Sequence, residues 1–211
     1  MNLFLESFFN FQIMSEASPL LIRGLGTTAM LCAVVIPLGL IGGLTVALMA
    51  LSSNPWLRWS IIALIDFFRA VPPLVLLIFI YSGLPFAGIE LSPFTAVCVG
   101  FFLNNSAYYA EIYRAGIESV GVGQMEAARS TGLKNIHAMV YVILPQATRN
   151  VLPDLLSNTI EVVKLTSIAS VVALQELLYS ADMARSVTYN SSPIVMAAGI
   201  YLLILLSLIH I

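Results

Sequence analysis

Gln124-Met125-Glu126-Ala127-Ala128-Arg129-Ser130-Thr131-Gly132, followed by Leu144-Pro145-Gln146, is the stretch from which the rest of this 211-residue chain is read. It is polar, and it sits in a chain that is 59% apolar and only 9% charged. A soluble domain carries about 25% charged residues. Charge this scarce leaves too little polar surface to keep a folded chain dispersed in water, so lipid is the expected solvent. A polar segment inside a membrane bundle marks where the bundle meets something else. Gly121 and Gly123 permit a turn, Gln124–Thr131 has a good helix composition, and Gly132 suits the position just past a helix end. Asn135 is a good cap for a second helix. The expectation is two short helices joined by a glycine turn along the cytoplasmic face, the plainer alternative being an amphipathic loop.

Working outward, residues 24–57, 70–89, 91–110 and 186–211 carry no charge when His210 is counted neutral. A membrane helix needs about 20 mostly apolar residues. At least four spans follow from these runs, and five with a more polar one. The first is read at about 24–50, with Gly39, Gly42 and Gly43 allowing close approach of a neighbouring helix. The second, about 57–82, opens with Trp56 and Trp59 in the aromatic belt and contains Pro72-Pro73, which should break or kink it. The third is about 92–115. The fourth, about 138–164, holds Pro145, Arg149, Pro153, Asp154, Glu161 and Lys164, charges that must face a bundle interior or a watery pathway. The last, about 193–209, begins at Pro193, which suits a first helical turn. Residues 1–22 read as an amphipathic interfacial helix ended by Pro19 and Arg23, and 165–192 as a linker with a helical patch at Val171–Tyr179. The fold class expected is an all-α integral membrane protein, a single domain over residues 1–211.

With the polar segment inside, Arg58, Arg69, Arg114, Arg129, Lys134 and Arg149 collect on the cytoplasmic side, against Arg23, Arg185 and Lys164 elsewhere. The positive-inside rule then puts the N-terminus outside and the C-terminus inside. Glu6 and Glu16 stand where a signal peptide would be basic, so the first span reads as retained. Cys32 and Cys98 lie in apolar runs and read as core residues rather than a disulfide. His137 and His210 are isolated, without metal-ligand spacing. There is no basic stripe for nucleic acid, no phosphate-binding glycine-rich loop with Lys-Ser/Thr, and no nucleophile–base set. The reading is a chain that is not an enzyme.

Glu126-Ala127-Ala128, Gly132, and then Ile143-Leu144-Pro145 at the family's spacing resemble the EAA loop of bacterial ATP-binding-cassette importer permeases, with Val142 where isoleucine is usual. The stretch Ala107-Tyr108-Tyr109-Ala110-Glu111-Ile112-Tyr113-Arg114-Ala115-Gly116 is similar to what precedes that loop in the polar amino-acid subfamily. Phe68-Arg69-Ala70-Val71-Pro72 resembles that subfamily's Phe-Arg-Gly-Thr-Pro, with Ala70 and Val71 as departures. Leu144-Pro145-Gln146-Ala147 and Lys164-Leu165-Thr166-Ser167 also fit, although the subfamily usually has Asp where Leu165 stands. The matching motifs are spread over about residues 20–200.

The resemblance implies a type I importer permease: about five transmembrane helices, an N-terminal interfacial helix and cytoplasmic coupling helices around 116–137. Glu126, Ala127, Ala128, Arg129 and Gly132 would then couple to the ATPase, Glu126 as the charged docking contact. Arg129 and Lys134 are either ATPase contacts or solvated positive-inside charges. Asp66 and Arg69, three apart on one helical face, are either a boundary anchor or an interface pair.

The substrate-pathway candidates are Asn104, Tyr108, Asn158, Glu161, Lys164 and Thr166. Asn104 and Tyr108 can equally serve helix packing, and Glu161 and Lys164 can equally pair with each other. A zwitterionic amino acid needs an acceptor and donors, and intramembrane charges are functional suspects by default.

The expected function is the permease subunit of an importer for a polar amino acid or related small compound in the bacterial inner membrane. Its expected partners are an ABC ATPase dimer, a second permease subunit (identical or paralogous), a periplasmic or lipoprotein solute-binding protein and membrane lipid. ATP and Mg would be held by the ATPase, with no cofactor on this chain. The competing reading is an ion-gradient-driven secondary transporter or channel using Glu161 or Asp154, against which stands the lack of an inverted repeat. Leu208-Ile209-His210-Ile211 closes the chain within an apolar run, where the family usually adds a basic tail, so the last span reads as short or cut off.

Overall fold

The computed structural model describes residues 2–210. The chain is 87% helical, with no strand among the described residues. In chain order the helices are α1 (Asn2–Phe8), α2 (Phe11–Ala50), α3 (Pro55–Ala70), α4 (Pro73–Ile78), α5 (Pro93–Ser119), α6 (Val122–Ser130), α7 (Asn135–Ala138), α8 (Leu144–Leu165), α9 (Leu177–Thr188) and α10 (Ser192–Ile209). Short π-helical turns at Phe79–Gly83 and Met139–Ile143 continue α4 and α7, and 3-10 segments run at Leu84–Ala87 and Thr166–Val172.

Three helical stretches are long and apolar enough to cross a membrane, Leu3–Ala50, Asn135–Val172 and Ser192–Ile209, and the broken pair Pro55–Ala70 and Pro73–Ala87 makes a fourth if taken as one span. The 27 residues of α5 are long enough, at about 1.5 Å per residue, to cross as well. Asn104, Asn105, Ser106, Glu111 and Arg114 make α5 the polar member of the set.

Several boundaries differ from the sequence expectation. Pro19 and Arg23 end nothing, because α2 runs unbroken through both. Proline is tolerated inside membrane helices when the carbonyl it frees is otherwise satisfied. At 40 residues α2 is about 60 Å long, twice the ~30 Å hydrocarbon thickness. The break comes earlier, at Asn10, whose Oδ1 accepts from the N–H groups of Gln12 (3.1 Å) and Ile13 (3.2 Å). Only α1 therefore remains as a separate interfacial helix, with Leu3, Phe4 and Leu5 exposed. The helical patch expected at Val171–Tyr179 is instead a 3-10 segment that stops at Val172, with α9 starting at Leu177. Asn135 is the first residue of α7 rather than its cap, which is Lys134.

The described residues pack into two units. One holds the chain up to Ile36, Pro73–Phe101 and the chain from Ile160 on. It has two buried clusters, one around Leu31, Leu77, Val97, Phe101 and Val162 and one around Leu21, Leu177, Ala181 and Ala197. Cys32 and Cys98 are free thiols, as read from the sequence. The turn between α9 and α10 ties down the N-terminus. Asn190 Nδ2 donates to the Glu6 carbonyl (2.8 Å), Ser191 N–H to the Ser7 carbonyl (3.0 Å), and Asn10 N–H to Ser192 Oγ (2.9 Å).

The other unit holds Pro37–Pro72 and Phe102–Thr159. Its core gathers Ala47, Ile65, Ala107, Tyr109, Ala110, Tyr113, Val151 and Leu155. The glycines of α2 do what the sequence promised. A Cβ on Gly43 would lie 2.4 Å from Tyr109 Cβ and 3.0 Å from the Ala110 nitrogen, and one on Gly42 would lie 2.5 Å from Ser106 Oγ. α2 and α5 thus cross at backbone contact, a packing only glycine allows.

Candidate functional site

The polar segment becomes a short helix on an apolar bed. α6 starts at Val122 behind Gly121 and ends at Ser130, with Thr131 as its C-cap. Gly132 follows at φ 88°, the left-handed region where glycine carries no Cβ penalty. Beyond the turn, α7 passes through its π turn into α8 without interruption, so the second coupling helix is the start of the 38-residue helix Asn135–Val172. The underside of α6 is held by buried Ala128 and by Met125, which packs against Ile117, Ile143 and Ala147. Glu126, Ala127 and Arg129 point the other way and are exposed. The result is a rigid, charged ridge whose two ends lead directly into α5 and α8.

The break at Val71-Pro72 sets a second feature. Val71 is extended (ψ 123°), as the residue before a proline prefers, and α3 stops there. A stopped helix leaves carbonyls without partners, and α5 supplies donors. Asn104 Nδ2, on a 2%-exposed residue, donates to the Phe68 carbonyl at 2.9 Å, and the Tyr108 hydroxyl donates to the Arg69 carbonyl at 3.3 Å. Two of the pathway candidates therefore spend their side chains closing α3. Below them runs a ladder of charges. The Arg69 guanidinium is 3.9 Å from both Asp66 and Glu111, and Arg114 binds Glu111 (2.6 and 3.0 Å) and Glu118 (2.6 Å). The Asp66–Arg69 neighbourhood is thus one end of a longer network.

Glu161 and Lys164 pair with each other at 2.6 Å on an exposed face. Thr166 is buried, its hydroxyl donating to the Val163 carbonyl at 2.7 Å. Asn158 is half-buried, and its Nδ2 is enclosed without a hydrogen-bond partner among the described residues.

Residues 36–211 match the model of the family described as "Binding-protein-dependent transport system inner membrane component". The chain belongs to that family. Among relatives, it is 41% identical over 178 residues to a probable amino-acid ABC transporter permease protein, YckA, of Bacillus subtilis, covering 84% of this chain and 79% of that protein. It is 33% identical over 192 residues to the arginine transport system permease protein ArtQ of the same organism, covering 90% and 88%. Its structure is similar, at TM-score 0.87 and 40% identity over 94% of each chain, to the crystal structure of an amino acid ABC transporter with histidines. An inward-facing MetNI methionine ABC transporter shares the fold at TM-score 0.78 and 19% identity, over 90% of this chain and 91% of that one. The chain is a permease of the binding-protein-dependent importers, as its motifs implied, and the ion-gradient alternative finds no support among these relatives. In this family the permease works with an ATPase, which is a separate subunit, and with a binding protein.

Sequence reading of this permease missed three groups. Gln146 Nε2 donates to the Val142 carbonyl (2.8 Å) and reaches Gln124 Oε1 at 3.4 Å, pinning α6 to the start of α8. Asn150 Nδ2 donates to Ser119 Oγ at 3.0 Å, fixing the end of α5 just before the ridge. Glu176 is 0% exposed and caps α9, its carboxylate accepting from the N–H groups of Leu178 (2.8 Å) and Tyr179 (2.7 Å) and from the Tyr201 hydroxyl (2.9 Å). Their side-chain partners lie 22, 31 and 25 positions away, so no local spacing signalled them. Burial, which decides such cases, cannot be read from one sequence.

Proposed function

We propose that this permease moves a polar amino acid across the inner membrane, two such subunits enclosing the pathway and two ATPases docking on the α6 ridges. The observation that carries the coupling role is the two-sidedness of α6: Met125 and Ala128 anchor it while Glu126 and Arg129 stand free at the junction of two long helices. A rigid element joined to both α5 and α8 can pass a rigid-body motion into them. ATP and Mg belong to the partner subunit, and this chain performs no bond chemistry. The N-terminus lies outside and the C-terminus in the cytoplasm, as the charge bias requires.

Substrate class rests on the relatives, whose names are those of amino-acid, glutamine and arginine permeases. It also rests on the exposed Glu161–Lys164 pair, which lies in the C-terminal third of the long apolar helix Asn135–Val172. Charges carried on a span avoid lipid, so on this reading the pair faces the pathway or a second subunit. Together they offer an acceptor for an ammonium and a donor for a carboxylate.

The test is ATP hydrolysis by the reconstituted complex against a panel of amino acids and binding proteins. Stimulation by one loaded binding protein supports the reading and names the substrate. Uptake that follows an imposed ion gradient without any ATPase overturns it.

A further inference from the structure

Where α2 ends and α3 begins, the structure holds a cavity of about 230 Å³ that the transport reading does not use. Ala50 and Leu51 form its apolar wall, and Arg58, Trp59, Arg114 and Glu118 its polar one. It opens at the same ends of the helices as the α6 ridge, because α5 runs from Arg114 and Glu118 directly into α6. The Ser52–Asn54 turn places α3 there, Asn54 Oδ1 capping the Trp56 N–H at 3.1 Å. Trp56 and Trp59, 85% and 64% exposed, give the rim the aromatic character of a membrane–water boundary.

The charges in this cavity are unequally engaged. Arg114 is spent on Glu111 and Glu118. Arg58 makes no ion pair among the described residues and lies 5.9 Å over the Trp59 ring. Glu118 gives Oε1 to Arg114 and leaves Oε2 open among the described residues. Counting the adjoining ladder, the cations Arg58, Arg69 and Arg114 balance the anions Asp66, Glu111 and Glu118. A site with a free cation, a free carboxylate oxygen and no net charge does not select an anion. It fits a zwitterion that carries both a phosphate and a hydrogen-bonding ammonium.

The geometry points to a headgroup site for a primary-ammonium phospholipid, of the phosphatidylethanolamine class, with its phosphodiester at Arg58 and the Trp59 indole N–H, its ammonium at Glu118 and its chains along the apolar wall. A trimethylammonium headgroup has no N–H to give Glu118, and an anionic headgroup leaves Glu118 unmatched. This inference rests on the family assignment and not on the substrate.

Trp56 and Trp59 are the chain's two tryptophans, and Trp59 lines the cavity, so in Trp56→Phe, the background for every variant, indole fluorescence comes from Trp59. The full chain is placed in nanodiscs of phosphatidylcholine and phosphatidylglycerol at about 3:1, with an equal small fraction of phosphatidylethanolamine, phosphatidylcholine or phosphatidylglycerol carrying brominated chains. Brominated phosphatidylethanolamine is expected to quench about twofold more than either of the others. Glu118→Gln should bring it down to the phosphatidylcholine level, Arg58→Gln should weaken it independently, and Glu90→Gln, an exposed loop carboxylate, should leave it unchanged. Equal quenching by all three lipids, stronger quenching by phosphatidylglycerol, quenching by none, or a preference that survives both Glu118→Gln and Arg58→Gln would overturn the site.

Discussion

Among the short helices, α6 and α9 are built in opposite ways. α9 is closed: its first N–H groups are met by a fully buried carboxylate, Glu176, which a tyrosine hydroxyl also engages. The Thr28 hydroxyl takes the Leu177 N–H at 3.1 Å. α6 is open: no side chain caps it at Gly121, one face rests on apolar residues, and the other shows its charges to the surroundings. A helix that satisfies its polar groups internally belongs to the scaffold. One that leaves them exposed is, on the proposed reading, shaped for a contact the single chain does not contain. Removing a polar side chain should therefore cost stability at α9 and communication at α6.

The largest stability effect is expected from Glu176→Ala, which strands two part-buried N–H groups and the Tyr201 hydroxyl and should cost about 3 kcal/mol. Thermal unfolding in detergent checks it, and a wild-type midpoint would show that α9 is not closed by this carboxylate. Gly43→Ala should follow at about 2 kcal/mol, because its Cβ meets Tyr109 and the backbone of α5. The same melt reads it, as loss of the α2–α5 packing in the unit that carries α6. Gly132→Ala should cost about 1 kcal/mol, since nothing crowds the position and only its positive φ penalises alanine. Its effect on coupled ATP hydrolysis should exceed its effect on the melt, which sharpens the contrast. Asn150→Ala, which frees the end of α5 from α8, should lower stability by less than about 1 kcal/mol.

Much of this was legible. The Glu126–Gly132 run gave both the loop and its turn, because a left-handed residue after a helix leaves few choices besides glycine. Gly42 and Gly43 announced a close helix crossing for the same kind of reason. The N-terminal boundary was misread because Pro19 looks like a stop by propensity, while a long membrane helix can run on past a proline. Asn104 and Tyr108 looked like pathway residues because polar groups in a span draw attention. Pro72-Pro73, read as a break or kink, leaves α3 with carbonyls that need donors from elsewhere, and these two residues supply them. Glu176 lay in what read as linker, and only packing reveals that it is buried.

The most direct test of the open-helix account is Glu126→Lys in the reconstituted complex, read by two assays on one sample. The account predicts a melting midpoint that corresponds to a change within about 0.5 kcal/mol, as for an exposed residue. It also predicts a roughly tenfold or greater fall in substrate uptake per ATP hydrolysed, equal to about 1.4 kcal/mol of lost coupling. Uptake and hydrolysis that stay coupled at the wild-type ratio would contradict it, and so would a chain that unfolds.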